Sequence, residues 1–114
     1  MNKYSDESPN YEDYKLKNDK GQDISFHGLL IGHVSTELQK TGKGGRWFEV
    51  SCFKTKSNTL IYRKLGCADK PGEQGRSTIT VAETPEELMD ACGYDELNKS
   101  LYEQCGFTHQ KHID

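Results

Sequence analysis

Two runs of β-branched and aromatic residues flanking a polar turn constrain this chain more than any other feature. From Gly44 the sequence reads Gly-Gly-Arg-Trp-Phe-Glu-Val-Ser-Cys-Phe-Lys-Thr, and after a polar turn it continues Thr-Leu-Ile-Tyr-Arg-Lys-Leu-Gly to Gly66. Such a pattern predicts a β-hairpin turning through Lys54-Thr55-Lys56-Ser57-Asn58. Side chains alternate along a strand, so Phe48, Val50 and Cys52 share one face and are expected to enter a core. Trp47, Glu49, Ser51 and Phe53 share the other face, which sets two large rings among polar groups.

The rest of the chain builds around this hairpin. Residues 1–21 are rich in Asn, Asp, Glu, Lys and Tyr and show no helical or strand period, so they read as a polar, mobile tail. The low hydrophobic content, 32%, agrees with part of the length lying outside any core. A single domain is expected over residues 22–107, with a frayed end at 108–114. Its first strand carries Ile24, Phe26, Leu30 and Val34 on one face and Leu29 and Ile31 on the other. Gly28 and Gly32 interrupt it, and strand glycines mark bends, bulges or close backbone approach, so a long curved strand is expected. A basic loop, Gln39 to Gly45, leads into the hairpin. A Gly/Pro-rich connection, Asp69 to Gly75, leads to a fourth strand at Ser77-Thr78-Ile79-Thr80-Val81-Ala82 with Ile79 and Val81 inward.

Helix signals follow. Thr84 is placed to cap, Pro85 to occupy the first helical position, and Glu87 to close a capping box. This helix is expected to stop at Gly93, and a second, from about Asp95 to Cys105, at Gly106. Each glycine is followed by an aromatic, Tyr94 or Phe107, as left-handed helix stops with a returning apolar contact require. Leu88, Leu97 and Leu101 are expected to face the sheet. The fold class is therefore α+β, a curved antiparallel four-stranded β-meander followed by two short C-terminal helices packed on one face.

This layout resembles a known family. The run Ser25-Phe26-His27-Gly28-Leu29-Leu30-Ile31-Gly32, the strand with Arg46, the Lys54-Thr55 turn and the segment from Ser77 to Leu88 resemble the C-terminal domain of the EXLDI family of small bacterial proteins. The likeness spans about residues 24–105. The closing Glu-x-Leu-Asp-Ile motif that names the family is absent, because the chain ends His109-Gln110-Lys111-His112-Ile113-Asp114. A polar segment also stands where family members carry a small helical DNA-binding unit. The resemblance implies a fold and no mechanism.

Charge and chemistry narrow the function. The net charge is −3, yet residues 36–65 hold 7 Lys/Arg against 2 Asp/Glu, whereas residues 66–114 hold 4 against 10. Basic charge thus gathers on the hairpin and the loop before it. No apolar run approaches the roughly 18 residues of a membrane span, and the start lacks a signal-peptide core, so a cytoplasmic protein with no membrane association is expected. Cys52, Cys67, Cys92 and Cys105 then read as reduced thiols.

No Ser or Cys stands in a nucleophile motif, and His27 and His33, on one strand face, lie some 20 Å apart at strand rise. The chain therefore reads as a non-enzyme without cofactor. Cys92, Cys105, His109 and His112 form a ligand set zinc accepts, but at an unfamiliar spacing, so the preferred reading is packed thiols and a polar end, with no metal, and zinc is the lesser alternative. The Gly-rich run Thr41 to Arg46 leads into a strand rather than a helix, so it is an ordinary approach to the hairpin.

What remains is the basic and aromatic face: Arg46, Trp47, Phe53, Lys54, Lys56, Arg63 and Lys64. Such residues anchor protein interfaces, and a small sheet also offers an edge for strand addition. The expectation is a small non-catalytic binding module that docks this face or a sheet edge onto a protein partner. It would act as an inhibitor or accessory protein, of bacterial or phage origin and suited to a mobile genetic element, or dock as a homodimer. The alternative is a nucleic-acid-binding regulator that stacks bases on the same rings and meets phosphates with the same cations.

Overall fold

The computed structural model describes residues 11–36, 46–68, 75–110 and 113. Five strands run in sequence order, each antiparallel to the next: β1 (Glu12–Leu16), β2 (Ile24–Ser35), β3 (Arg46–Thr55), β4 (Leu60–Ala68) and β5 (Ser77–Ala82). Helices α1 (Pro85–Cys92) and α2 (Glu96–Cys105) follow the sheet. No helix among the described residues is long and apolar enough to cross a membrane.

The sheet has one strand more than the four predicted, and the extra one comes from the segment read as a tail. Tyr14 and Leu16 pair opposite Phe26 and Ile24, so the strand contributes one apolar face to a core. Two alternating apolar residues in a five-residue strand are too few to register as a period. Residues 1–10 of the expected tail, the loop at 37–45 and most of the connection at 69–74 lie outside the described residues.

β2 carries a second departure. Leu30 pairs with Phe53 while Gly32 pairs with Cys52, so Ile31 is an extra residue in the ladder. A bulge of this kind reverses which face each later side chain takes. Ile24 and Phe26 thus pack with Phe53, whereas Val34, expected beside them, packs on the opposite side with Ile31. His27 and His33, expected to share a face, point to opposite ones. His27 Nδ1 meets Asp13 at 2.9 Å, and His33 Nδ1 meets Ser51 Oγ at 2.9 Å.

The sheet is also rolled. In a flat sheet the four steps from β1 to β5 would separate them by about 19 Å. Instead the turn after β1 is bonded directly to the start of β5. Asp19 N donates to Ser77 O at 2.7 Å, Ser77 N donates to Asp19 Oδ2 at 2.6 Å, and Ser77 Oγ donates to Lys17 O at 2.7 Å. Inside the roll, Leu16, Phe53 and Ile61 form one buried cluster, lined by Tyr14, Ile24, Phe26 and Ile79.

The outer face is covered by the helices. Val50, Cys52, Leu60, Tyr62, Ala82, Leu88 and Leu101 make the larger core, with Leu97 packed against it. Tyr62 donates to Asn98 Oδ1 at 2.7 Å, and Asn98 Nδ2 donates to Cys92 O at 3.0 Å, so the buried polar groups linking β4 to both helices are satisfied. Thr84 accepts from Glu87 N at 3.1 Å as a cap should, while Glu87 reaches one residue further back and accepts from Glu83 N. Both stops fall at glycines with positive φ, Gly93 at 96° and Gly106 at 79°. Phe107 N donates to Tyr102 O at 2.9 Å, and the two rings lie 6.4 Å apart, which is the returning contact of a left-handed stop.

Gly32 is where helix and sheet approach most closely. A Cβ there would lie 2.6 Å from Cys105 Sγ and 3.0 Å from Leu101 Cδ1. Gly32→Ala is therefore expected to lower stability by about 1–3 kcal/mol in urea unfolding, because α2 must shift outward.

The clasp predicts an acid dependence. The Ser77 N–H holds the Asp19 carboxyl below its usual range, with Lys17 adding to the effect. A depressed carboxyl contributes stability above its unfolded value and loses it as pH falls through its folded value. Below about pH 4 the wild-type chain is expected to lose stability with pH more steeply than Asp19→Ala, as urea midpoints across a pH series would show.

Candidate binding cleft at the open end of the hairpin

The helices cover only part of the hairpin. The ten residues of α2 span about 15 Å, whereas the ten of β3 span about 33 Å. Val50 and Cys52 lie under the helices and are fully buried, but Phe48, expected to join them, is 49% exposed. Its partner across the ladder is Gly66, which offers no side chain to cover the ring. Lys64, on the same face, sets its Nζ 5.0 Å from the Phe48 ring centroid, a cation–π distance.

Backbone contacts bring two further segments to this end. Gly66 N donates to Arg76 O at 2.9 Å, and the chain passes so close that any Cβ on Gly75 would overlap the Gly66 carbonyl. That approach places Arg76 beside the hairpin. From the other side, the Asp19–Ser77 clasp holds the turn that carries Lys20. The result is a cleft of about 460 Å³ lined by Lys20, Trp47, Phe48, Lys64, Cys67 and Arg76, together with Thr78 and small residues. Three cations and two aromatic rings border it, with no carboxylate among the described lining residues. The volume lies within the range of ligand-sized clefts.

The inner side of the same end carries a polar string. Trp47 Nε1 donates to Glu49 Oε2 at 3.1 Å, and Glu49 Oε1 lies 3.9 Å from His33 Nε2. Serine, imidazole and carboxylate thus stand in one row. Ser51 is only 3% exposed, so its hydroxyl is spent on His33 and sealed from any substrate.

The residues predicted from sequence do not stay together. Trp47 and Lys64 border the cleft. Arg46 opens β3 at the same end. Phe53, expected on the surface, is 3% exposed. Its ring sits 4.7 Å from Tyr14 and 5.4 Å from Phe26, so the rolled first hairpin has closed over it. Lys54 and Lys56 lie at the turn, about 23 Å or more along the hairpin from Trp47, with Lys56 Nζ 5.3 Å from the Tyr11 ring centroid. Arg63 pairs with Ser51 and Ile79 on the inner face, away from Lys64. Phe48, Lys20 and Arg76 were among the lining residues missed. Gly66 opposite Phe48 was the one available signal, because a glycine partner leaves a ring uncovered.

The cysteines belong mainly to the helix-side core. Cys52 is fully buried and Cys92 and Cys105 pack against the same cluster. A hydrogen bond with Cys105, then burial, pushes the Cys52 thiol up, and burial pushes Cys92 up to about 11. Protonated thiols of this kind pack as small apolar groups. Of the zinc alternative, His109 lies 3.3 Å from Glu103, and His112 lies outside the described residues. Among the described residues no three His, Cys, Asp or Glu side chains are grouped to hold a metal.

Burial separates the two phenylalanines energetically. Phe53→Ala is expected to cost about 3–5 kcal/mol, a large share of a small domain's stability. Phe48→Ala is expected to cost less than about 1 kcal/mol. Guanidinium unfolding of the two variants would test this placement directly.

Comparison with known proteins finds no family model that matches the chain, no similar curated protein and no similar solved structure.

Proposed function

We propose that the chain is a small non-catalytic binding module that docks the open end of its β3–β4 hairpin onto a protein partner, as an inhibitor or accessory protein does. The observation that carries this reading is the cleft, where Lys20, Lys64 and Arg76 surround the exposed Phe48 ring and the half-buried Trp47. An exposed ring beside an arginine and lysines is the chemistry of an interface anchor.

The same geometry weighs against the nucleic-acid alternative. Stacking successive bases needs several open rings along one groove. Phe53 is buried, and the Trp47 indole is turned to Glu49. Docking through a sheet edge is less favoured than docking at the cleft, because the first residue of the outer strand β5 is already bonded to Asp19.

The test compares wild type with the charge-reversed pair Lys64→Glu/Arg76→Glu as immobilised baits in nuclease-treated lysate of the source cells. A protein retained by wild type should be lost by the variant, which should melt within a few degrees of wild type. Loss of about 2 kcal/mol per anchor residue corresponds to roughly 30-fold in affinity each. Equal retention by both baits would move the docking surface elsewhere.

A further inference from the structure

The cleft's lining points to the chemistry of what it takes. Its cations come from three separate segments: Lys20 from the turn after β1, Lys64 from β4, and Arg76 from the connection into β5. Arg76 is already partly balanced by the Asp19 carboxylate, whose charge it stabilises; the further positive charge of Lys20 and Lys64 around one concavity favours a negatively charged occupant. The same concavity presents Phe48, 49% exposed, with Lys64 over its ring, and the half-buried Trp47 at its border. An occupant that fits therefore combines negative charge with an apolar or aromatic group. A run of phosphates meets the cations but leaves the ring unused, whereas a wholly apolar segment covers the ring and leaves the cations unmatched.

We infer that the cleft binds an acidic peptide segment of the partner, its carboxylates facing Lys20, Lys64 and Arg76 and one aromatic side chain lying against Phe48. This rests on the docking reading above and assigns the partner's side of that contact. Arg76 is suited to a carboxylate because its planar fork donates to both oxygens at once, whereas the two lysines act as point charges around it. The Asp19–Ser77 clasp is what holds the Lys20 turn against the strand that Arg76 precedes. Lys20 is thus brought to the cleft by the closing of the roll, whereas Arg76 is placed by its backbone bond to Gly66 of the hairpin.

Trp47 is the chain's single tryptophan and borders the cleft, so its emission reports binding without a label. The full chain would be titrated with three unlabelled probes: Glu-Glu-Phe-Glu-Glu, Gln-Gln-Phe-Gln-Gln, and a thymidine oligonucleotide of matched charge. The acidic peptide should shift Trp47 emission saturably, and its affinity should fall about tenfold or more as salt rises from about 0.05 M to about 0.5 M. The glutamine peptide should bind at least about tenfold more weakly. Lys64→Glu/Arg76→Glu should abolish the response to the acidic peptide, and the milder Lys64→Gln should weaken it with the fold intact by circular dichroism. Equal binding of the two peptides, or tighter binding of the oligonucleotide, would overturn the inference. A partner lost by the charge-reversed bait while the acidic peptide leaves Trp47 unchanged would overturn it too, yet leave docking at this end standing. Retention of that partner by the charge-reversed bait would instead remove the docking reading itself.

Discussion

One extra residue in β2 governs much of this structure. Between Leu30 and Gly32 the ladder with β3 slips by one, so the apolar residues before and after Ile31 serve different faces. A strand of twelve residues can then feed two cores, its first half the inside of the roll and its second half the layer beneath α2. Gly32 stands just past the slip, where the absence of a Cβ lets Leu101 and Cys105 come down onto the backbone. Bulge and glycine together let a small domain bury apolar groups on both sides of one sheet, which a flat sheet of this size could not do with two short helices alone.

The roll decides what the surface can offer. By folding β1 across the inner face it encloses Phe53 between Tyr14 and Phe26, and it carries the turn at Asp19 to Ser77, four strands away in sheet order. The ring that leaves the surface at one end of the hairpin is replaced by Phe48 at the other, where the helices no longer reach. The cations follow the same logic. Lys64 belongs to the hairpin, but Lys20 and Arg76 are delivered by the closure of the roll and by the backbone contact between Gly66 and Arg76. The cleft is thus a product of closure, and it lies far from the polar turn at Lys54 and Lys56.

Much of the architecture was nevertheless legible. The hairpin, the long glycine-marked strand, the strand at Ser77–Ala82 and both helices stand where period and turn chemistry placed them, although Val81, expected inward, is 53% exposed and Gly93, with ψ of 179°, ends α1 outside the left-handed helical region. β1 was not legible, because five residues with two apolar side chains carry too little pattern. Nor was the site as a unit. Strand alternation assigned Phe48 to a core and Phe53 to solvent on the assumption that a face is covered evenly along its length. Coverage is set by how far a helix extends and where a neighbouring hairpin folds over, and neither is a local property.

What the sequence determined by itself was therefore local: which segments extend, which coil, where the helices stop at Gly93 and Gly106, and which side chains share a face within an unbroken ladder. What only the tertiary structure decided was where faces change sides at Ile31 and which residues distant in sequence meet. Lys20 joins Phe48, Lys64 and Arg76 because the sheet rolls until Asp19 bonds Ser77. The physical reason is range. Dihedral preferences and alternation act over a few residues, whereas closure is the outcome of burying two cores at once and belongs to no single stretch of the chain.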